Sequence, residues 1–268
     1  MRRALFPLLL SSMLLAQAPG TPPAPPLAQE LLTPPEGTGA SSTGLRSVVL
    51  RPGTGTQRLA KDGVAALGFT GWDSQGVAFT HVPADALAPR VFVERLMPGM
   101  REALLQMAPG ERRRLWIPES LAFAGAEGKP KGTVVMELEL IDALPNPKQA
   151  PEDVAGPGPD AVVLRSGLAT KVLRPGTGGE HPRRAGYVVV HYTGWTTDGK
   201  MFDSSVVKRS HELIRLTEVI EGWREGIPLM TPGERRRFWV PQHMAYRGEK
   251  GMPKGMLVFD VELLSVPK

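Results

Sequence analysis

Two tandem α+β domains, each a curved antiparallel sheet wrapped over one short helix, are the fold this sequence predicts. Three observations lead there. The chain repeats itself at one fixed offset, its apolar segments are mostly short and strand-like, and one stretch in the second repeat has convincing helical spacing. A few antiparallel strands closing over one helix make a two-layer α+β unit with a single core.

The offset is 123 residues throughout. Leu50-Arg51-Pro52-Gly53-Thr54-Gly55 returns as Leu173-Arg174-Pro175-Gly176-Thr177-Gly178, and Thr70-Gly71-Trp72 returns as Thr193-Gly194-Trp195. Pro109-Gly110-Glu111-Arg112-Arg113-Arg114 returns as Pro232-Gly233-Glu234-Arg235-Arg236-Arg237, and Pro130-Lys131-Gly132 as Pro253-Lys254-Gly255. The copies align without gaps from about residue 44, which sets domains at 40–145 and 160–268.

Residues 1–18 read as an export signal. Arg2 and Arg3 open it, an apolar stretch runs from Ala4 to Ala16, and Ala16-Gln17-Ala18 offers a small-residue cleavage site. The apolar stretch is too short to span a bilayer, which needs about 20 residues. An exported chain is expected, periplasmic in a Gram-negative bacterium. Residues 19–37 carry seven prolines, so 19–39 is expected to be an extended, mobile linker. Pro145, Pro147, Pro151, Pro157 and Pro159 mark a second linker over 146–159, expected to leave the domains separately tethered.

In the second repeat, Val188-Val189-Val190-His191-Tyr192 is a short apolar run ended by Thr193-Gly194. Phe238-Trp239-Val240 ends at Pro241, and residues 257–264 are β-branched and aromatic with acidic interruptions. Residues 222–230 are the helical stretch, with Ile220, Trp223, Ile227 and Met230 on one side and Pro228 shortening or kinking its end. The net charge of +5 permits weak attraction to anionic surfaces. The arginine runs 112–114 and 235–237 are too short for a phosphate-tracking stripe, so they are expected to be solvated strand faces rather than a nucleic-acid site. With no cysteine, disulfides, thiolate catalysis and zinc–sulfur sites are excluded.

The second repeat resembles the FKBP-type peptidyl-prolyl isomerase family over nearly all of 160–268. The motifs that carry the resemblance are His191-Tyr192-Thr193-Gly194, Asp198-Gly199-Lys200-Met201-Phe202-Asp203-Ser204-Ser205, Val219-Ile220-Glu221-Gly222-Trp223, Ala245-Tyr246 and Leu257-Val258-Phe259-Asp260-Val261-Glu262-Leu263-Leu264. The resemblance implies that Trp223 floors a proline pocket walled by Tyr192, Phe202 and Phe259, with Val219 and Ile220 at the rim. It implies that Asp203 is the pocket carboxylate and Tyr246 the hydroxyl that meets the substrate backbone. The chemistry expected of Asp203, Tyr246, Trp223 and the Ile220 N–H needs no nucleophile, metal, cofactor or general base. Taken singly, each of these side chains has a plainer reading: Trp223, Phe202 and Phe259 as core, Asp203 as a turn residue and His191 as a structural strand histidine. Two departures from the family pattern stand out. His211 and Glu212 fall where the family usually places another aromatic, which predicts a polar or open wall, and the loop over 247–253 is short.

The first repeat serves as an internal control. At the offset of 123, Tyr192 becomes Phe69, Asp203 becomes Thr80, Trp223 becomes Met100, Tyr246 becomes Phe123 and Phe259 becomes Met136. Val219 and Ile220 become Leu96 and Met97, and Phe202 alone keeps its identity, as Phe79. A non-catalytic domain is expected, acting as a spacer or as a binder of unfolded chains or of the partner domain. Three functions remain open for the whole chain: an exported isomerase that assists folding, a chaperone or peptide-binding module using the same apolar cleft, or a scaffold for one partner. The implied ligands are proline-containing or unfolded polypeptides and macrolides of the family's type, with neither nucleic acid nor a membrane span.

Overall fold

The computed structural model describes residues 24–267; the export-signal segment 1–18 lies outside the described residues. The first domain carries β1 (Arg46–Arg51), β2 (Val64–Trp72), β3 (Ala78–Val82), β4 (Arg90–Phe92), helix α1 (Pro98–Leu104), β5 (Arg112–Ile117) and β6 (Val134–Leu144). The second carries β7 (Val162–Val163), β8 (Ala169–Arg174), β9 (Tyr187–Thr196), β10 (Met201–Ser204), α2 (Ser205–Lys208), β11 (Glu212–Arg215), α3 (Glu221–Gly226), β12 (Arg235–Val240) and β13 (Leu257–Ser265). Each set forms one antiparallel sheet, ordered β1-β5-β6-β2-β3 with β4 on β2, and β10-β9-β13-β12-β8-β7 with β11 on β9.

Strand periodicity sorts the side chains. Phe259 pairs with Gly194 and Val261 with Tyr192, while Phe238 pairs with Phe259. Val188, Val190, Phe238, Val240, Leu257, Phe259, Val261 and Leu263 therefore share the concave face and form the core over α3. Gly222 lets that helix approach: a Cβ there would stand 2.5 Å from Val240 Cγ1. The helix ends at Gly226 and tightens into a 3₁₀ turn over Ile227–Leu229, so the helix expected over 222–230 is shortened at Pro228. Sequence reading missed α2 and β11, which are too short to carry a period of their own.

Four expectations are corrected. First, the proline-rich segment ahead of the first domain is docked rather than mobile. Trp72 Nε1 donates to the Pro25 carbonyl at 2.9 Å, Trp116 Nε1 to the Leu31 carbonyl at 3.0 Å, and Leu27 and Leu32 pack against both indoles. Second, the 146–159 segment does the same in the next repeat: Trp195 Nε1 donates to Pro147 O at 3.2 Å and Trp239 Nε1 to Asp153 O at 3.0 Å. Both segments are straps over the outer face of a sheet. They hold because each buried indole N–H needs an acceptor and a strap carbonyl supplies it.

Third, the arginine runs are ion-paired ladders, not solvated faces. Arg112 and Arg114 both pair with Glu137, Arg113 with Glu111, Arg236 with Glu234, and Arg237 with Asp260 and Asp153; of these five arginines only Arg112 keeps half its side chain exposed. Nor are the domains separately tethered. Val64, Phe92 and Leu144 of the first pack against Val206 and Val207 of the second. Arg90 forms a buried two-point pair with Glu262, at 2.5 and 3.3 Å, and Arg174 joins Glu262 to Asp142. Among the described residues no helix is long and apolar enough to cross a membrane.

Candidate active site

The residues singled out from the sequence converge on one cleft between the concave face of the second sheet and α3. Tyr192 comes from β9, Phe202 and Asp203 from β10, Trp223 from α3, and Phe259 from β13. Val219 and Ile220 precede the helix, and Tyr246 follows a 3₁₀ turn over Gln242–Met244. All eight line a cavity of about 370 Å³. Its rings form a cage of edge-to-face contacts: Tyr192 to Trp223 at 5.1 Å, Trp223 to Phe259 at 5.3 Å, and Phe259 to Phe202 at 5.5 Å. These are favoured aromatic geometries, each about 0.5–1.5 kcal/mol beyond the area buried. Gly194 makes the corner possible, because a Cβ there would lie 2.6 Å from Phe202 and 2.9 Å from Phe259.

Asp203 is the electrostatic centre. Its Oδ2 accepts from the Tyr192 hydroxyl at 2.7 Å, and its Oδ1 accepts from Ser204 N at 2.8 Å and pairs with Lys208 Nζ at 2.7 Å. Burial alone would raise its pKa, but the bonds from Lys208, Tyr192 and Ser204 outweigh that and hold it below the usual carboxylate range. Burial, then the bond to Asp203, pushes the Tyr192 hydroxyl well above an ordinary phenol. Burial and the charge of Asp203 push the Tyr246 hydroxyl up as well. Both phenols are therefore neutral donors at physiological pH. Among the described residues the Ile220 N–H has no acceptor, and the buried Trp223 Nε1 has none either.

The polar wall expected from Glu212 is present, with Lys208, Ile214 and Glu218 beside it. Sequence reading missed these three. Lys208 was findable only by knowing that α2 turns the chain back toward Asp203. His191 does not line this cleft; it is buried behind β9 with Nδ1 3.0 Å from Ser205 Oγ, in keeping with the structural reading. Among the described residues no group of three or more histidine, aspartate or glutamate side chains is placed to hold a metal.

In the first domain the counterpart positions are filled. Phe69, Met100 and Met136 are buried in the core, and Phe79, Leu96, Met97 and Phe123 pack against it. Phe79 and Phe123 meet edge to face at 5.7 Å. Thr80 stands where Asp203 stands in the second repeat.

Comparison with known proteins points to one family. The family model described as FKBP-type peptidyl-prolyl cis-trans isomerase matches twice, over residues 55–141 and 178–264. The chain is 41% identical over 133 residues to the FKBP-type peptidyl-prolyl cis-trans isomerase FkpA of Aeromonas hydrophila, covering 47% of this chain and 49% of that one. It is 40% identical over 109 residues to FK506-binding protein 1 of Candida glabrata, covering 38% of this chain and 96% of that one. A crystal structure of FkpA from Escherichia coli matches at 38% identity with a TM-score of 0.39, over 41% of this chain and 52% of that one. The chain thus spans about half the length of the FkpA relative it matches. With two family matches that together cover more than half of its residues, this chain belongs to the FKBP-type peptidyl-prolyl cis-trans isomerase family.

Proposed function

We propose that this chain catalyses cis-trans isomerisation of X–Pro bonds in its second domain. The observation that carries the reading is the four-ring cage around a 370 Å³ cleft, with an ionised, hydrogen-bonded Asp203 at its side. Rotation about an X–Pro bond is opposed by amide resonance, with a barrier of ~18–20 kcal/mol, and takes tens to hundreds of seconds unaided. The twisted amide has lost that resonance and is less polar than the planar one. An apolar, aromatic cleft therefore favours the twisted state over the ground state.

The proline ring seats on Trp223 between Tyr192, Phe202 and Phe259. The unpaired Ile220 N–H donates to a flanking substrate carbonyl and the Tyr246 hydroxyl holds another, fixing the peptide while one bond turns. Asp203 locks the Tyr192 ring by accepting its hydroxyl. No covalent step is involved. Substrates on this reading are proline-containing or incompletely folded polypeptides, and a macrolide such as the one named for FK506-binding protein 1 would enter the same cleft. The basic start and apolar stretch of residues 1–18 support an exported folding assistant. The first domain, with Met100, Phe123 and Met136 filling its cleft, contributes no second active site.

The test is protease-free isomerisation kinetics of proline tetrapeptides with the full chain, its Asp203→Ala variant and its Trp223→Ala variant. Acceleration by the wild type that falls at least tenfold in both variants is expected. A folded wild type that suppresses aggregation without accelerating isomerisation, and does so equally after Asp203→Ala, would establish the chaperone reading instead.

A further inference from the structure

We propose that the first domain positions the active-site segment 203–208 of the second, with Phe92 and Arg90 as its positioning residues. The inference rests on the isomerase reading of that site. The element concerned is α2, only four residues long, far below the roughly 12–15 at which a helix sustains itself in water. It ends at Arg209 with φ of 60°, a left-handed conformation costly for a residue with a side chain and kept only where the surroundings impose it.

Those surroundings come from both domains. Val206 and Val207 pack against Val64, Phe92 and Leu144 of the first domain. On the other side Lys208 faces the cleft and holds Asp203 at 2.7 Å. Between the two, Ser204 Oγ caps the helix by accepting from Val207 N, and Ser205 Oγ accepts from Tyr192 N at 2.9 Å. One turn of helix is thus clamped between a neighbouring domain and the carboxylate of the site. A second connection runs through Arg90, which pairs with Glu262; Glu262 lies opposite His191 in the β13–β9 register, and His191 bonds Ser205. Neither Phe92 nor Arg90 lines the cleft. Their influence on it must pass through α2 and β9.

The experiment uses the full chain with Phe92→Ala, Arg90→Met and Phe92→Leu, read by kcat/KM on proline tetrapeptides and by amide hydrogen exchange across residues 204–209. Phe92→Ala is expected to lower kcat/KM at least fivefold and to speed exchange in 204–209 at least tenfold, with Phe92→Leu restoring most of both. Arg90→Met, which leaves Glu262 its partner Arg174, is expected to act in the same direction and stands in if Phe92→Ala does not fold. A folded variant with wild-type exchange in 204–209 would overturn the proposal, and so would unchanged kcat/KM despite faster exchange. If the wild type has no isomerase activity, the isomerase reading fails while the exchange data still decide whether the first domain holds α2.

Discussion

His191 should make this protein acid-labile in a window that opens above the carboxylate range. The imidazole is buried on the outer face of β9, where burial first, then Arg90 and His211, lower its pKa from 6.5 to about 4, against the opposing pull of Glu262. The folded state therefore holds the neutral ring, while the unfolded chain takes up a proton below pH 6.5. Between those two values the unfolded state binds more protons, so stability falls as pH falls. At about 1.36 kcal/mol per pKa unit, the loss is about 1.4 kcal/mol by pH 5.5 and about 3 kcal/mol by pH 4. The perturbation is His191→Gln, which removes the titration and keeps a polar group near Ser205. Urea unfolding of both proteins at a series of pH values between 7 and 4 isolates the histidine, because the carboxylates are common to the two. The variant should show the shallower pH dependence by up to the amounts above. Parallel curves for the two proteins, or a His191 ring resonance titrating near 6.5, would refute the reasoning.

Two further outcomes are expected. Glu212 puts a negative charge on the cleft wall, within reach of a residue flanking the proline in the proposed binding mode. The wild type should therefore prefer lysine over glutamate beside proline, by about threefold to tenfold for roughly 1 kcal/mol of partly screened Coulomb energy, and Glu212→Leu should shift the preference toward glutamate in competition kinetics. Trp239→Phe removes the donor to the Asp153 carbonyl while keeping an aromatic ring. It should cost about 1–2 kcal/mol in urea unfolding and make the 146–159 strap more susceptible to limited proteolysis.

The fold was legible because a gapless repeat reports on itself, and because strands such as 257–264 alternate inward apolar and outward acidic residues. The cleft was legible because its residues lie within five compact motifs. What escaped was whatever depended on a partner distant in sequence. The straps looked like linkers because prolines forbid regular structure, yet proline-rich chain still offers carbonyls. The available signal was the return of Trp72 and Trp116 as Trp195 and Trp239, indoles on the outer sheet faces that needed covering. The arginine runs looked solvated because their partners lie on the next strand. In register, Arg114 stands opposite Glu137 and Arg237 opposite Asp260, a pairing visible only once β5–β6 and β12–β13 are laid side by side.

The two copies have diverged in opposite directions at two places, and the pairing of those changes bears on what the first is for. At the cleft, the second domain keeps space and charge while the first fills both, with Met100 for Trp223 and Thr80 for Asp203. At the β4 edge the order reverses. Val64 and Phe92 of the first domain are buried against α2, whereas their counterparts Tyr187 and Arg215 in the second face solvent, the guanidinium 5.9 Å from the phenol ring. Arg90 is buried in its pair with Glu262, whereas its counterpart Leu213 is 61% exposed. A burying arginine and an exposed leucine invert the usual preference of each residue. Drift in an idle spacer would erode the cleft, but it gives no account of a buried charge pair facing the second domain. If the first copy positions α2 as proposed, its contribution lies on the strand edge that packs beside α2 rather than in the cleft its own side chains fill.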